Sequence, residues 1–265
     1  MPAIDLTKLR NQTRQLVNLY EQPIEFVRLL VGILENYSNH TFRSSQITQW
    51  AELSTFNTPN SVIIQILNDL KGLADQYPEH AMNLTITLWH EAIFETRLLA
   101  AHILGTIPPK EAMRLLTRIP EWLYETRDQR IRNALLTYGL ARIRSENPAA
   151  LSILISEWLK SPGQKTQTWG LHALIPLIKQ VGFDDIPQIF EILRPAIETI
   201  SPSTQMDIQT CINTMDSISH VETTHFLSEI LKRTDIPQVR LIFQRILKGF
   251  STEMQKELII ILKST

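Results

Sequence analysis

Three ionisable side chains between Leu88 and Gly105 have the types and spacing of an acid and base set. Glu91, Glu95 and His102 fall on one stripe if this stretch is a continuous helix, and carboxylates near an imidazole can move protons. The simpler interpretation is a polar seam, in which charged groups satisfy the backbone at the ends of adjoining helices, because buried charges need such partners. We favour the seam.

A run of arginines follows this stretch and predicts an anion-binding surface. Between residues 114 and 144 seven arginines are opposed by three carboxylates, although the whole chain has 26 Lys and Arg against 27 Asp and Glu. Any nucleic-acid binding must therefore be local, with contacts mainly to phosphate. The arginines are Arg114, Arg118, Arg127, Arg130, Arg132, Arg142 and Arg144, and the carboxylates are Glu121, Glu125 and Asp128.

Helical periodicity selects some of these residues as candidate contacts. A helix from Asp128 has an apolar stripe that leaves Arg130 and Arg144 on a polar one; the apolar stripe consists of Ile131, Ala134, Leu135 and Tyr138. Trp169 lies opposite the apolar face of the next such helix and offers a ring for stacking a base, with packing against the adjacent repeat as the alternative. The candidate nucleic-acid-binding residues are Arg97, Arg130, Arg144, Lys165 and Trp169.

Other chemistries lack the residues that they need. Cys211 is the single cysteine, which excludes an internal disulfide and a cysteine-based zinc site, and the seven histidines show no paired-ligand spacing. Because glycine-rich phosphate loops are also missing, we expect no cofactor and no metal. No apolar run reaches the roughly 18 residues that cross a bilayer, and the N-terminus lacks a signal-peptide pattern. We therefore expect no membrane contact and a cytoplasmic location.

The elements that position these residues are predicted to be helices. No segment shows the alternation of apolar and polar residues that is typical of a strand. The chain has 14 prolines and only 8 glycines, and most of the prolines stand where a helix would start. From Phe94 onward two sets of helix starts alternate, and in the first set successive starts are 33 to 39 residues apart. The first set starts near Glu95, Asp128, Gln164, Ser203 and Pro237, and the second near Pro108, Pro148, Asp185, Val221 and Ser251.

This pattern predicts an all-α fold, an α-solenoid of about six or seven stacked helix pairs. An irregular helical bundle is the alternative. One domain is expected over residues 1–265, with a less regular N-terminal cap over 1–77 and regular repeats over 78–265; the segment Asn39–Asn57 is the least regular part. The helix Phe94–Gly105 is apolar around nearly its whole circumference, so we expect neighbours on both sides of it.

Two segments combine an acidic residue, an arginine and a small residue that lets helices approach, with a leucine further on. They are Glu95-Thr-Arg97-Leu-Leu-Ala100 and Asp128-Gln-Arg130-Ile-Arg-Asn-Ala134. Both resemble the second helix of HEAT repeats. With Trp89 added, the first segment resembles the corresponding helix of AlkD-type DNA alkylation repair proteins. The resemblance implies a HEAT-like solenoid that holds DNA in its concave face.

The residues that AlkD-type glycosylases use for catalysis are not at matching positions. Those enzymes excise cationic alkylated bases with a tryptophan and an aspartate one helical turn later, whose carboxylate stabilises the cationic sugar. One turn after Trp122, Trp158 and Trp169 this chain has Thr126, Pro162 and Ala173. No catalytic residue is therefore carried over, and Glu95 and Glu125 are the candidates if the carboxylate has moved.

Three functions stay open. The first is a non-enzymatic HEAT-like protein whose concave surface binds DNA backbone weakly or binds a repair partner. The second is a DNA glycosylase that excises alkylated bases, and the third is a protein–protein interaction scaffold, for which a neutral charge is no handicap. We favour the first. Exposed arginines on the inner face would separate the first two functions from the third, and an excision assay would separate the first from the second.

Overall fold

The computed structural model describes residues 5–38, 53–180, 186–233 and 237–263. Within these ranges every regular element is a helix, apart from one isolated bridge between Ser54 and Ile93. The predicted all-α class is confirmed. Most of the segment that the sequence predicts to be irregular, residues 39–52, lies outside the described ranges.

The helices begin where prolines and apolar periodicity predict. Pro23, Pro78 and Pro148 are the first residues of their helices, a position where the missing N–H costs no hydrogen bond. The predicted repeat starts, from Glu95 to Ser251, each fall within two residues of an observed helix start. The repeat period is therefore a correct guide to the helices.

Two compact units make up the chain, and the first is Met1–Asn147. Its helices are α1 (Leu6–Asn18), α2 (Pro23–Asn36), α3 (Asn60–Asp69), α4 (Leu73–Gln76), α5 (Pro78–His90), α6 (Phe94–Leu104), α7 (Pro109–Leu116), α8 (Ile119–Glu125), α9 (Gln129–Ala134) and α10 (Ala141–Glu146). Helices α1, α3, α6 and α9 contact one another in succession, as do α2, α5 and α7. Helix α5 packs along α6 and joins the two rows.

The second unit, Pro148–Thr265, repeats this arrangement. Its helices are α11 (Pro148–Lys160), α12 (Gln164–Ile178), α13 (Ile186–Glu198), α14 (Gln205–Asp216), α15 (His220–Arg233), α16 (Pro237–Ile246) and α17 (Thr252–Lys263). One row runs through α11, α13, α15 and α17, and the other through α12, α14 and α16. Inside each unit, helix pairs thus pack on the next pair, as the repeat period predicts.

Helix α6 is the centre of the first unit. Leu99, Ala100 and Ala101 are each 0% exposed, and α6 packs against α3, α5 and α9. This confirms the expectation that an apolar circumference needs neighbours on both sides. The position of α6 fixes the side chains that project from its first turn.

A break between α5 and α6 separates residues that the sequence placed on one helix. Helix α5 ends at His90 and α6 begins at Phe94, and the backbone of Glu91 and Ile93 between them is extended. The stripe of Glu91, Glu95 and His102 on a continuous helix is therefore wrong, because the helical register does not continue through residues 91–93.

A π-helical turn, Leu135–Gly139, interrupts the helix predicted from Asp128. The wider turn holds an extra residue, which rotates the following side chains by about 100°. Leu136 is consequently buried, whereas Tyr138, predicted for the apolar stripe, is 45% exposed. Periodicity alone does not predict this shift.

The π turn approaches the end of α6 closely. A Cβ at Gly105 would lie 1.8 Å from the carbonyl oxygen of Tyr138, so only glycine fits at this position. Beside this contact the rings of His102 and Tyr138 stack with their centroids 4.0 Å apart. The π turn and the C-terminal end of α6 thus pack closely against each other.

Candidate functional site

The loop before α3 is tied to the junction between α5 and α6. The N–H of Ser54 donates to the carbonyl of Ala92 at 2.9 Å, and the N–H of Phe94 donates to the carbonyl of Ser54 at 2.8 Å. The hydroxyl of Ser54 also donates to Ala92 at 3.0 Å. These bonds hold the loop beside the N-terminus of α6.

The carboxylate of Glu95 completes this junction. Its Oε1 accepts hydrogen bonds from Thr55 Oγ1 at 2.8 Å, Phe56 N at 3.1 Å and Thr58 N at 3.3 Å. The N-cap residue of α3 is Pro59, and no side chain caps this helix. Glu95 orders the residues just before α3 instead, which is the role that the polar-seam interpretation gives to a buried charge.

A cleft of about 410 Å³ opens among α3, α6 and α9. Glu95 and Arg130, both selected from the sequence, line it together. The rest of its lining combines amides and hydroxyls with apolar side chains. These residues include Asn57, Thr58, Asn60, Ile63, Phe94 and Leu98.

Arg130 is fixed at this cleft by two contacts. Its Nε and Nη2 donate to Oδ1 and Oδ2 of Asp128 at 3.1 and 2.7 Å, and its Cζ lies 4.1 Å from the centroid of the Phe94 ring. The hydrogen bonds to Asp128 raise the pKa of Arg130. Burial disfavours the charge of Asp128, but the hydrogen bonds and charge of Arg130 outweigh this effect, and the pKa of Asp128 is lowered. The side chain of Arg130 is still 66% exposed, so a ligand can reach it.

Other arginines of the basic run are paired with carboxylates from outside it. Arg114 lies 2.6 Å from Glu79, and Arg142 lies 2.6 Å from Asp75 and 2.7 Å from Glu146. The positive excess counted along the sequence is therefore smaller in the folded chain, because α4 and α5 bring acidic partners to the run.

Arg97, predicted to contact nucleic acid, lies against the end of α5. Its Nε donates to the carbonyl oxygens of Trp89 and Glu91, both at 3.1 Å, and its Cζ lies 5.1 Å from the centroid of the Trp89 ring. Trp89 in turn stacks on Trp122, with centroids 4.6 Å apart. Because the last carbonyls of a helix lack intrahelical partners, these bonds make Arg97 a stabiliser of α5.

Arg144 is also held by the backbone. Its Nη1 and Nη2 each donate to the carbonyl of Thr137 at 3.2 Å, and burial lowers its pKa, although an arginine stays charged. It was predicted on an exposed polar stripe. The π turn explains the difference, because it changes the face on which the residues after Gly139 lie.

The remaining candidates do not line this cleft. Glu125 is exposed at the end of α8, with its Oε2 3.4 Å from Nε1 of Trp89. In the second unit, Lys165 is exposed in the first turn of α12. Trp169 is 3% exposed, so its ring has no free face for stacking a base in this structure. Its position off the apolar stripe reflects packing, which is the alternative that the sequence leaves open.

Sequence reasoning missed the aromatic ring and the amides of the cleft. Phe94 has the character of a core residue, yet its ring supports Arg130. Asn57 has a φ of 51°, a left-handed conformation that asparagine tolerates better than most residues. The turn-forming stretch Asn57-Thr-Pro-Asn60 directly before a helix is the signal that could have found this part of the site.

The part of the chain that the structure describes contains no group of three or more His, Cys, Asp or Glu side chains placed to hold a metal. None of the helices in that part is both long and apolar enough to span a membrane. What the cleft does offer is an exposed guanidinium beside the start of a helix and an aromatic ring. Such a set can bind an anionic group.

Comparison with known proteins and protein families shows what this chain is related to. No curated protein matches the sequence. The family described as DNA alkylation repair enzyme matches residues 41–229, a range that contains every residue named above as lining the cleft. Since this range covers well over half of the chain, the relationship is not confined to a single helix pair. The chain therefore belongs to the DNA alkylation repair enzyme family.

Proposed function

We propose that this protein binds DNA through the phosphate backbone and does not excise bases. Membership of a DNA alkylation repair family supports DNA as the partner. The chain as a whole has a formal charge of −1. DNA binding therefore depends on a few cations at specific positions, and it is weak and salt-sensitive.

The observation that carries the proposal is the position of Arg130. A guanidinium has five N–H donors, and Asp128 accepts from Nε and Nη2 only. Nη1 makes no hydrogen bond within the described part of the chain and is available to a phosphate oxygen. Stacking on Phe94 at 4.1 Å holds the guanidinium plane, so that less conformational freedom is lost when a phosphate binds.

The start of α3 adds positive potential at the same cleft. Its N-cap residue, Pro59, supplies no side-chain acceptor, and among the first N–H groups that of Val62 bonds to the Pro59 carbonyl. Free N–H groups at a helix N-terminus attract anions. Asn60, the first residue of α3, lines the cleft with Arg130. A phosphate beside both groups would be favoured by each of them.

The carboxylates argue against excision. Glu95 lines the cleft, but Oε1 accepts three hydrogen bonds and Oε2 accepts one from Phe56 N at 3.3 Å, and the residue is 3% exposed. A carboxylate engaged in this way is not presented to a sugar. Glu125 is exposed and does not line the cleft. Without a carboxylate beside the sugar, stabilisation of the transition state worth roughly 3 kcal/mol or more is lost.

The test is a comparison of two arginine variants in DNA binding by fluorescence anisotropy at low salt. Arg130→Ala should weaken binding to duplexes of unrelated sequence alike and reduce the slope of log affinity against log salt by about 0.9. Arg114→Ala is the matched control, because Arg114 is 65% exposed and ion-paired, as Arg130 is. Equal affinity of the two variants would contradict the assignment of Arg130. If wild-type protein binds neither duplex nor single-stranded DNA, a protein-interaction scaffold takes the place of this proposal.

A glycosylase is the second candidate, favoured by one observation: a buried carboxylate, Glu95, lies in the same cleft as Arg130. Incubation with alkylated duplex DNA is expected to release no 3-methyladenine or 7-methylguanine above the spontaneous rate. Release that Glu95→Gln abolishes, in a variant that keeps its helical circular dichroism, would establish the glycosylase instead. Release abolished by Glu125→Gln would place the catalytic carboxylate at α8.

A further inference from the structure

Helix α1 has an exposed face made of cations and amides. Lys8, Arg10 and Arg14 are all exposed, and no Asp or Glu occurs between Leu6 and Asn18. The other exposed polar side chains of the helix are Thr7, Asn11, Gln15 and Asn18. Apart from Leu6 at its first turn, this face is therefore entirely polar and carries positive charge only.

The opposite face of α1 fixes its orientation. Leu9 and Leu16 are 1% and 0% exposed, and Thr13 donates a hydrogen bond to Asp69 at the end of α3. The helix is held by these contacts, and none of them involves the cationic side chains. The cations can therefore be removed without disturbing the packing of α1 on α3.

The cations of α1 also differ from two exposed arginines elsewhere in the first unit. Arg28 pairs with Glu25 at 2.5 Å and Arg114 with Glu79 at 2.6 Å. Lys8, Arg10 and Arg14 have no carboxylate within salt-bridge distance among the described residues. Three cations and no carboxylate on a helix of 13 residues make this face locally positive in a chain of formal charge −1. A partner with regularly repeated negative charge would match this face, with the amides as additional donors.

We propose that the α1 face is a second contact for the backbone of the nucleic acid that binds at Arg130. This inference rests on the proposed function. Helices α1, α3, α6 and α9 contact one another in succession, and packed helices lie about 8–10 Å apart. The α1 and α9 contacts are then separated by roughly 25–30 Å, which corresponds to about eight base pairs of duplex at 3.4 Å each. A longer duplex reaches both contacts, and a much shorter one reaches only one.

Two double variants test the inference. Arg10→Gln with Arg14→Gln removes two charges from α1, and Arg28→Gln with Arg114→Gln removes two ion-paired charges from other helices of the same unit. With a duplex of about 24 base pairs, the α1 variant should lower the salt slope by about 0.9 for each lost contact, and the control should leave it unchanged. With a hairpin of roughly six base pairs, the α1 variant should lose much less affinity relative to wild type, because the stem cannot span both contacts.

The outcomes separate this inference from the proposed function. If Arg130→Ala weakens binding and the α1 variant does not, the inference is overturned and the proposed function stands. If the α1 variant weakens binding and Arg130→Ala does not, the α1 face is a nucleic-acid contact and the cleft is not. Absence of DNA binding by wild type overturns both. Binding to anionic phospholipid vesicles that the α1 variant abolishes, without binding to DNA, would assign the face to a membrane surface.

Discussion

At the scale of the residue, an arginine is available to a ligand only where no backbone acceptor reaches it first. Arg97 and Arg144 donate to carbonyl oxygens at the ends of helical turns, and such bonds stabilise the fold. Arg130 instead bonds to a side chain two residues away and keeps part of its guanidinium open. Of the three arginines that the sequence predicts as contacts, Arg97, Arg130 and Arg144, Arg130 is therefore the one whose geometry suits a phosphate.

Gly105→Ala should destabilise the first unit, by about 1–3 kcal/mol or more. A Cβ at this position would lie 1.8 Å from the carbonyl oxygen of Tyr138, and a backbone atom cannot move aside cheaply. Urea denaturation measures the change. Gly32→Ala in α2 is the control, because a Cβ there meets nothing within 4 Å, and alanine at a helix interior is favourable by up to about 1 kcal/mol. Equal stability of the two variants would show that the close approach is not maintained.

His102 should make stability depend on pH. Burial lowers its pKa from the ordinary value of 6.5, so the unfolded chain takes up this proton more readily than the folded chain. The contribution of His102 is then complete above about pH 6.5 and declines as the pH falls towards the folded pKa. Thermal unfolding from about pH 7.5 to about pH 5.5 should show a smaller loss of Tm for His102→Phe than for wild type. A loss of the same size in both would exclude His102 as the source.

At the scale of the element, the junction of α3, α5 and α6 depends on a single carboxylate. Glu95→Gln keeps the shape of the side chain and removes the charge that four hydrogen-bond contacts share. We expect a loss of about 1–3 kcal/mol in the free energy of unfolding. Glu79→Gln, whose partner Arg114 is exposed, should cost less than about 1 kcal/mol. If both variants cost the same, Glu95 does not organise the junction.

The elements were predictable from sequence to a much greater extent than the site. The spacing of apolar residues and the positions of the prolines predict the helix starts, because a helix forms where its apolar stripe can be buried. The break at residues 91–93 and the π turn were missed, because each changes the register without changing the local apolar content. Arg97, Arg144 and Trp169 pack against protein groups instead of facing solvent. Whether a polar or aromatic side chain is exposed depends on register and on neighbours distant in sequence, which the spacing of apolar residues does not reveal.

At the scale of the whole molecule, two compact units that each contain fully buried residues should unfold in more than one step. Leu99 in α6 and Leu174 in α12 are both 0% exposed, and each belongs to a different unit. In differential scanning calorimetry we expect the calorimetric enthalpy to exceed the van't Hoff enthalpy. Leu99→Ala and Leu174→Ala, each costing about 2–5 kcal/mol, should shift different components of the transition. One transition that both variants shift equally would mean that the chain unfolds as a single unit.

The π turn at Leu135–Gly139 also affects how this chain should be aligned with relatives. A π turn accommodates one residue more than the α-helical path it replaces, so it has the structural effect of a one-residue insertion. An alignment without a gap in this helix would match Arg142 and Arg144 to positions one residue away from their structural equivalents. Functional residues transferred from relatives to this helix should therefore be placed only after a gap at residues 135–139 has been considered.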